Sequence, residues 1–152
     1  MAEKKYVIFK LNKEEYGVDI MMVKEVSEVR ETIKVPNTPH FVDGIINIRG
    51  EITPIISLKK RFNIEDNRES IEGAKIIVVS IKDKLVGFLV DDVSQVLSID
   101  EENIDPAPGL IVDVDKAYIQ GISKLEDKMI IMLDLEKVLD ENEKDLIGEM
   151  DI

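Results

Sequence analysis

Residues equipped for chemistry are scarce in this sequence, and their spacing suits catalysis poorly. The 152-residue chain has one histidine and no cysteine, which removes thiol nucleophiles, disulfides and thiolate metal sites together. His40 lies in Pro39-His40-Phe41 with no second histidine to share a metal, so a structural or surface role is expected for it. Two acid groupings remain, Asp91-Asp92 and Asp113 with Asp115. Such carboxylates can hold a divalent cation or accept a phosphoryl group, but that chemistry needs ligands converging at the strand ends of an open parallel sheet. The glycines at Gly44 and Gly50 lack the lysine and the strand-to-helix context of a phosphate loop, and neither H-E-x-x-H nor G-x-S-x-G occurs. The expectation is a protein that is not an enzyme and needs no cofactor or metal. The alternative that keeps catalysis is a small acidic β-barrel hydrolase using Asp91 or Asp92 as acid or base.

The elements that must position these residues are mostly strands. Ile and Val together number 39, against 11 Leu and 4 Ala, and β-branched side chains favour a pleated, half-buried surface over a helix. With 44% apolar and 34% charged residues the chain can bury a core, and its length fits one domain or two very small ones. A formal charge of −12 opposes attraction to phosphate backbones and anionic lipid, so nucleic acid is not an expected partner. No apolar run approaches the ~18–20 residues that span a bilayer, and the opening MAEKKYVIFK has no apolar signal core. A soluble cytoplasmic protein without membrane insertion is expected.

The chain repeats itself. Setting Gly17 on Gly87 aligns Val7-Ile8-Phe9 with Ile77-Val78-Val79, Val23 with Val93 and Val26 with Val96 at an offset of 70. Setting Gly44 on Gly121 aligns Ile45 with Ile122, Ile55-Ile56 with Met132-Leu133 and Leu58 with Leu135 at an offset of 77. Seven extra residues fall between the blocks, around Pro106-Ala107-Pro108-Gly109. Two similar modules, 5–70 and 71–141, each with about five short strands, solve their edge problem by curling into small barrels, and modules this small should share apolar surface. Whether the first hairpin closes its own barrel or its neighbour's stays open. Finer features follow. Asn12 to Glu15 reads as a polar turn; Val18, Met22, Val23 and Val26 have helix-like spacing; Pro54 assigns its strand to an edge or a bulge. In the acidic end, Leu135, Val138, Leu139 and Leu146 suggest a short amphipathic helix, with residues 142–152 a helical or frayed tail.

Where two halves share a scaffold, aligned polar positions that differ are free to carry function. Glu25 stands over Gln95, and Arg49-Gly50 over Glu126-Asp127. A Glu25–Arg49 ion pair between the short helix and a hairpin tip is therefore expected, either as a surface pair or as the orienter of a recognition surface. Val23, Ile76, Val93 and Val96 are candidates to line the seam between modules, as core or as an apolar groove.

These residues carry a family resemblance. The runs Glu15-Tyr16-Gly17-Val18-Asp19-Ile20, Val23-Lys24-Glu25-Val26, Pro39 to Gly50, Pro54-Ile55-Ile56-Ser57-Leu58 and Val86-Gly87-Phe88-Leu89-Val90-Asp91-Asp92-Val93 resemble the CheW family of bacterial chemotaxis coupling proteins, over roughly residues 5–141. The resemblance implies a mainly β fold of two five-stranded SH3-like barrels sharing a hydrophobic core, with a few short helices. It also implies a non-enzymatic adaptor joining methyl-accepting chemotaxis receptors, by their cytoplasmic tips, to the regulatory domain of the histidine kinase CheA, at arrays on the inner face of the membrane. Carried over by motif, Glu25 and Arg49 match the family's paired acid and arginine. Val23, Gly44, Ile76, Val93 and Val96 match positions associated with receptor binding. Kinase-contact residues cannot be assigned this way. An adaptor of a non-flagellar or other non-chemotaxis pathway fits the same residues.

Overall fold

The computed structural model describes residues 3–65, 73–106, 118–125 and 128–149. Over them the chain is mainly β, as its Ile and Val content requires. The strands are β1 (Glu3–Leu11), β2 (Glu14–Asp19), β3 (Val23–Glu28), β4 (Val42–Ile48), β5 (Glu51–Ser57), β6 (Lys75–Ile81), β7 (Lys84–Val90), β8 (Asp92–Asp100), β9 (Ile104–Asp105), β10 (Ile119–Leu125) and β11 (Lys128–Leu133). Helix α1 (Leu58–Arg61) follows β5, and α2 (Glu141–Glu149) lies near the end.

The strands form two sheets, in the orders β3-β6-β7-β5-β4 and β8-β1-β2-β11-β10-β9. One has five strands as the repeat predicts. The other has six because Ile104–Asp105 forms a short ladder with Ile122 and Ser123; its counterpart in the first sheet is the single bridge between Ile33 and Ile45. Register follows the repeat. Val7↔Val18 in the β1–β2 hairpin becomes Ile77↔Phe88 in β6–β7, and Ile45↔Pro54 in β4–β5 becomes Ile122↔Ile131 in β10–β11.

The first hairpin closes its neighbour's sheet. β1–β2 packs between β8 and β11, and β6–β7 between β3 and β5. The sequence repeats and the sheets are thus different partitions of the chain, because each half lends its leading hairpin to the other. Period-two alternation then splits β1 and β6, the leading strands of the lent hairpins, between two cores. Tyr6 and Ile8 fill the interior of the six-stranded sheet with Ile99, Ile130 and Met132. Ile76 and Val78 fill the five-stranded interior with Ile46, Ile48 and Ile55. The opposite faces, Val7, Phe9 and Leu11 with Ile77, Val79 and Ile81, meet in a larger cluster between the sheets.

Close approach fixes two glycines. Gly17 and Gly87 sit where a hairpin joins its host sheet by a parallel ladder, opposite Met132 and Ile55. A Cβ at Gly87 would lie 2.6 Å from Ile76 Cγ2 and 2.7 Å from Ile55 Cδ1.

Four expectations change in detail. The β1–β2 turn is only Asn12-Lys13, since Leu11 already pairs with Glu14. Pro54 lies on an inner strand, tolerated because the ladder to β7 begins one residue later, at Ile55↔Gly87. The helical turn after β2 is a single 3₁₀ turn, Ile20–Met22, and Val23 to Val26 are strand. At the far end, the expected helix is split: Leu135–Lys137 form a 3₁₀ turn that ends on Val138, with Leu135, Val138 and Leu139 buried in the inter-sheet cluster before α2 starts, whereas the side chain of Leu146 lies outside the described set. Helix α2 opens on a reciprocal capping box, the Glu143 amide donating to Asp140 Oδ1 and the Asp140 amide to Glu143 Oε1, both at 2.8 Å. Lys82, at the β6–β7 turn, lies 2.7 Å from Glu141 and 3.2 Å from Asp145.

Two outcomes follow. Gly87→Ala should lower the unfolding free energy by about 1–3 kcal/mol through overpacking, read as a reduced urea midpoint at unchanged m-value. Hydrogen bonding to Glu141 and Asp145 raises the Lys82 pKa above the ordinary lysine value, and bonding to Lys82 lowers that of Glu141. A depressed carboxyl contributes above the ordinary glutamate range and is lost as pH falls through its lowered pKa; a raised ammonium contributes below the ordinary lysine range and is lost as pH rises through its raised pKa. Amide protection in α2 should therefore persist through neutral pH, fall below about pH 4, and weaken in roughly molar salt.

Candidate functional site

The two outer strands β3 and β8 are repeat equivalents, and both are bulged. The β3–β6 register shifts between Val23 and Glu25, and the β8–β1 register shifts between Val93 and Gln95. An extra residue, Lys24 in one strand and Ser94 in the other, lets valines three apart face the same way. Val23 and Val26 stand opposite Val79 and Ile77, and Val93 and Val96 opposite Phe9 and Val7. All four opposing residues belong to the inter-sheet cluster, and paired residues share a face. The four valines therefore border the inter-sheet core. Val23 and Val93 are half-buried against it, while Val26 and Val96 remain 41% and 50% exposed. Their partly exposed side chains thus lie along the two outer strands where these border the shared core.

The other face of β3 carries a charge pair. Glu25 opposes Val78, on the interior side of the five-stranded sheet, and its carboxylate lies 3.3 Å from Arg49 Nε, with Arg49 80% exposed. The expected ion pair forms, but Glu25 reaches it from a strand and not from a helix. Arg49 and Gly50 are a two-residue hairpin turn with φ of 53° and 84°, the combination a type I′ turn demands. The Gly50 amide donates to Asn47 Oδ1 at 2.8 Å, and Arg30 Nη1 donates to the Asn47 carbonyl at 2.8 Å. Strands β3 and β4 are opposite ends of their sheet, so these bonds draw its two edges together. In the other half Gln95 replaces Glu25, and Glu126-Asp127 lie outside the described residues.

The remaining candidates sit elsewhere. Ile76 is 1% exposed and belongs to the five-stranded interior, not to the seam that the spacing suggests. Gly44 is buried, with φ of 147°, and a Cβ there would meet the Ile33 carbonyl oxygen at 2.5 Å. Its role is to admit the Ile33–Ile45 bridge. Val26 is the exposed valine of this set that the family motif omits; its alignment with Val96 at offset 70 is the sequence signal for it.

Of the acid groupings, the described one does not converge into a catalytic pair. Asp91 is buried against Lys59 Nζ at 2.9 Å and accepts the Asn12 amide at 2.6 Å, while Asp92 opens β8 opposite Lys10. Asp113 and Asp115 lie outside the described residues. Among the described residues no three potential metal ligands converge, and no helix is long and apolar enough to cross a membrane. His40 is exposed, with Nε2 3.3 Å from the Lys60 carbonyl and its ring edge-on to Phe41.

Comparison with known proteins bears on the family and the fold. The model of the CheW-like domain matches residues 5–143. A chemotaxis protein CheW from Klebsiella aerogenes is 38% identical over 145 residues, covering 95% of this chain and 87% of the relative. That of Thermotoga maritima is 33% identical over 141 residues, covering 93% and 91%. The crystal structure of the scaffolding protein TtCheW from Thermoanaerobacter tengcongensis superposes with a TM-score of 0.83 at 43% identity, covering 94% of this chain and 92% of that one.

Because Arg49 is so exposed, its pair with Glu25 should contribute little to folding. Arg49→Ala is expected to change the unfolding free energy by less than about 1 kcal/mol in chemical denaturation.

Proposed function

The chain belongs to the CheW family of chemotaxis scaffold proteins, and from that premise we propose that it couples the cytoplasmic tips of methyl-accepting chemotaxis receptors to the regulatory domain of the histidine kinase CheA. The observation that carries this reading is a set of four exposed or half-buried valines in repeat-related pairs at the border of the shared core, which we read as the walls of a groove, with the Glu25–Arg49 pair on the other face of β3. Apolar walls of this kind fit one face of an amphipathic helix, with anchors at helical spacing. Arg49 uses Nε for Glu25, so its outward guanidinium can meet a carboxylate or a carbonyl on the partner.

The kinase domain takes a different face, which leaves the groove open to the receptor. The protein would then stand at receptor arrays on the inner face of the membrane through its partners, with single contacts of modest affinity reinforced by multivalency. Gly44 and Ile76 enter this reading through the scaffold, since both are buried. Changes there alter the shape of the first sheet rather than a contact.

The test is co-sedimentation with a receptor cytoplasmic fragment and the kinase together. Arg49→Glu and Val96→Asp should each weaken receptor retention about tenfold, equivalent to ~1.4 kcal/mol, while kinase retention and the far-ultraviolet spectrum stay unchanged. Undiminished kinase activation by Arg49→Glu in the reconstituted mixture would count against the groove.

A further inference from the structure

A buried polar cluster lies at the point where the chain crosses from β7 into β8. Asp91 and Lys59 have side chains only 11% and 10% exposed, with Nζ 2.9 Å from Oδ1. The second carboxylate oxygen accepts the Asn12 backbone amide at 2.6 Å. Lys59 Nζ also donates to Asn12 Oδ1 at 3.3 Å, and Asn12 Nδ2 donates to the Glu65 carbonyl at 2.7 Å. The Asp91 amide donates to the Lys10 carbonyl at 3.0 Å. One carboxylate thus joins helix α1 of the first sheet, the β1–β2 turn of the second, and the first residue before β8.

The opposite crossover is built differently. The residue equivalent to Asp91 at offset 70 is Met21, which is strongly exposed in the 3₁₀ turn before β3. The turn equivalent to Asn12 carries Lys82, which is engaged by α2 on the surface. Two walls related by the repeat therefore have unlike anchors.

We infer that Lys59, Asp91 and Asn12 form a buried latch that fixes the β8 wall of the groove, with Asp91 a positioning residue for the partner helix. Asp91 precedes Val93 by two residues, and the bulge at Ser94 follows at once. A bulged ladder holds its strand less firmly than a regular one, so the direction in which Val93 and Val96 leave the crossover is set by the latch. Buried groups whose every oxygen has its own donor keep one geometry, since any movement strands a charge. The β3 wall, held through the exposed Glu25–Arg49 pair, is the one that adjusts.

The inference rests on the groove being the receptor site, and the test separates the two. Asp91→Asn keeps the shape and removes the charge. Asn12→Gly keeps the amide donor and suits the φ of 57° while deleting the side-chain bonds to Lys59 and Glu65, so it serves if the first variant fails to fold. Lys59→Arg is the conservative control. Amide exchange is followed in β3 and β8, and binding of a receptor cytoplasmic fragment and of the kinase regulatory domain is titrated separately. Asp91→Asn should speed β8 exchange about tenfold with β3 within about twofold, and raise the receptor Kd about fivefold with the kinase Kd unchanged. Asn12→Gly should shift the same quantities less, and Lys59→Arg should leave them at the values of the unchanged protein. Equal loosening of both strands, equal loss of both partners, or an unmoved β8 overturns the latch as a positioning device. If Arg49→Glu and Val96→Asp weaken receptor binding and Asp91→Asn does not, the latch alone is wrong; if none of the three does, the groove itself is wrong.

Discussion

The structure depends on the apolar cluster between the sheets, and that cluster exists because each hairpin is buried on both faces. Strand β1 sends Tyr6 and Ile8 into one sheet interior and Val7, Phe9 and Leu11 into the shared core. Strand β6 repeats this with Ile76 and Val78 against Ile77, Val79 and Ile81. A strand buried on both faces reads as a continuous apolar run, as YVIFKL and KIIVVSI do. Removing either half of the chain would strip a hairpin from the other half's sheet and open the shared core at once. The sheets are therefore parts of one folding unit, as the size of each predicts.

On this near-symmetric frame the chain places unlike details at equivalent points. Glu25 faces Arg49 where the other half has Gln95. Asp91 is latched where the first crossover exposes Met21. A scaffold that had to meet two similar partners in the same way could keep both ends alike; one with different tasks for its two halves could not. The differences are polar and lie at edges and crossovers, where changing a side chain leaves the apolar cores untouched.

Much of this was legible in the sequence. Offsets of 70 and 77 residues pointed to two similar modules of about five strands each, because a shared backbone needs its apolar and glycine positions in the same places. The Glu25–Arg49 pair was legible as an asymmetry. The lending of hairpins was not, since hairpins with identical register fit either sheet and local pattern cannot choose between them. Bulges were the second obstacle: Val23 and Val26 three residues apart imitate a helical stripe, and only the pairing with Val79 and Ile77 shows a strand with one extra residue. Ile76 fell on the wrong side of the sheet for a third reason. Residues 76 to 79 are all buried, so nothing in their polarity reveals which core each one enters. Leu135, Val138 and Leu139 show the same effect: their stripe is real, but it buries a 3₁₀ turn ahead of α2 and not a face of α2 itself.

The bulges also bear on what kind of partner the groove can take. Among the described strands β3 and β8 each end a sheet, the position at which an extended peptide could in principle add. A bulge disrupts the regular spacing that an added strand would need, and it turns two valines on each strand towards the same side. The backbone is made a poor template just where the side chains become a good surface. A partner must then bring its own satisfied backbone and offer side chains alone, which is what a helix does. On this argument the extra residues at Lys24 and Ser94 do two things: they discourage edge-to-edge pairing between copies of the protein, and they select the helical class of partner that the proposed function requires.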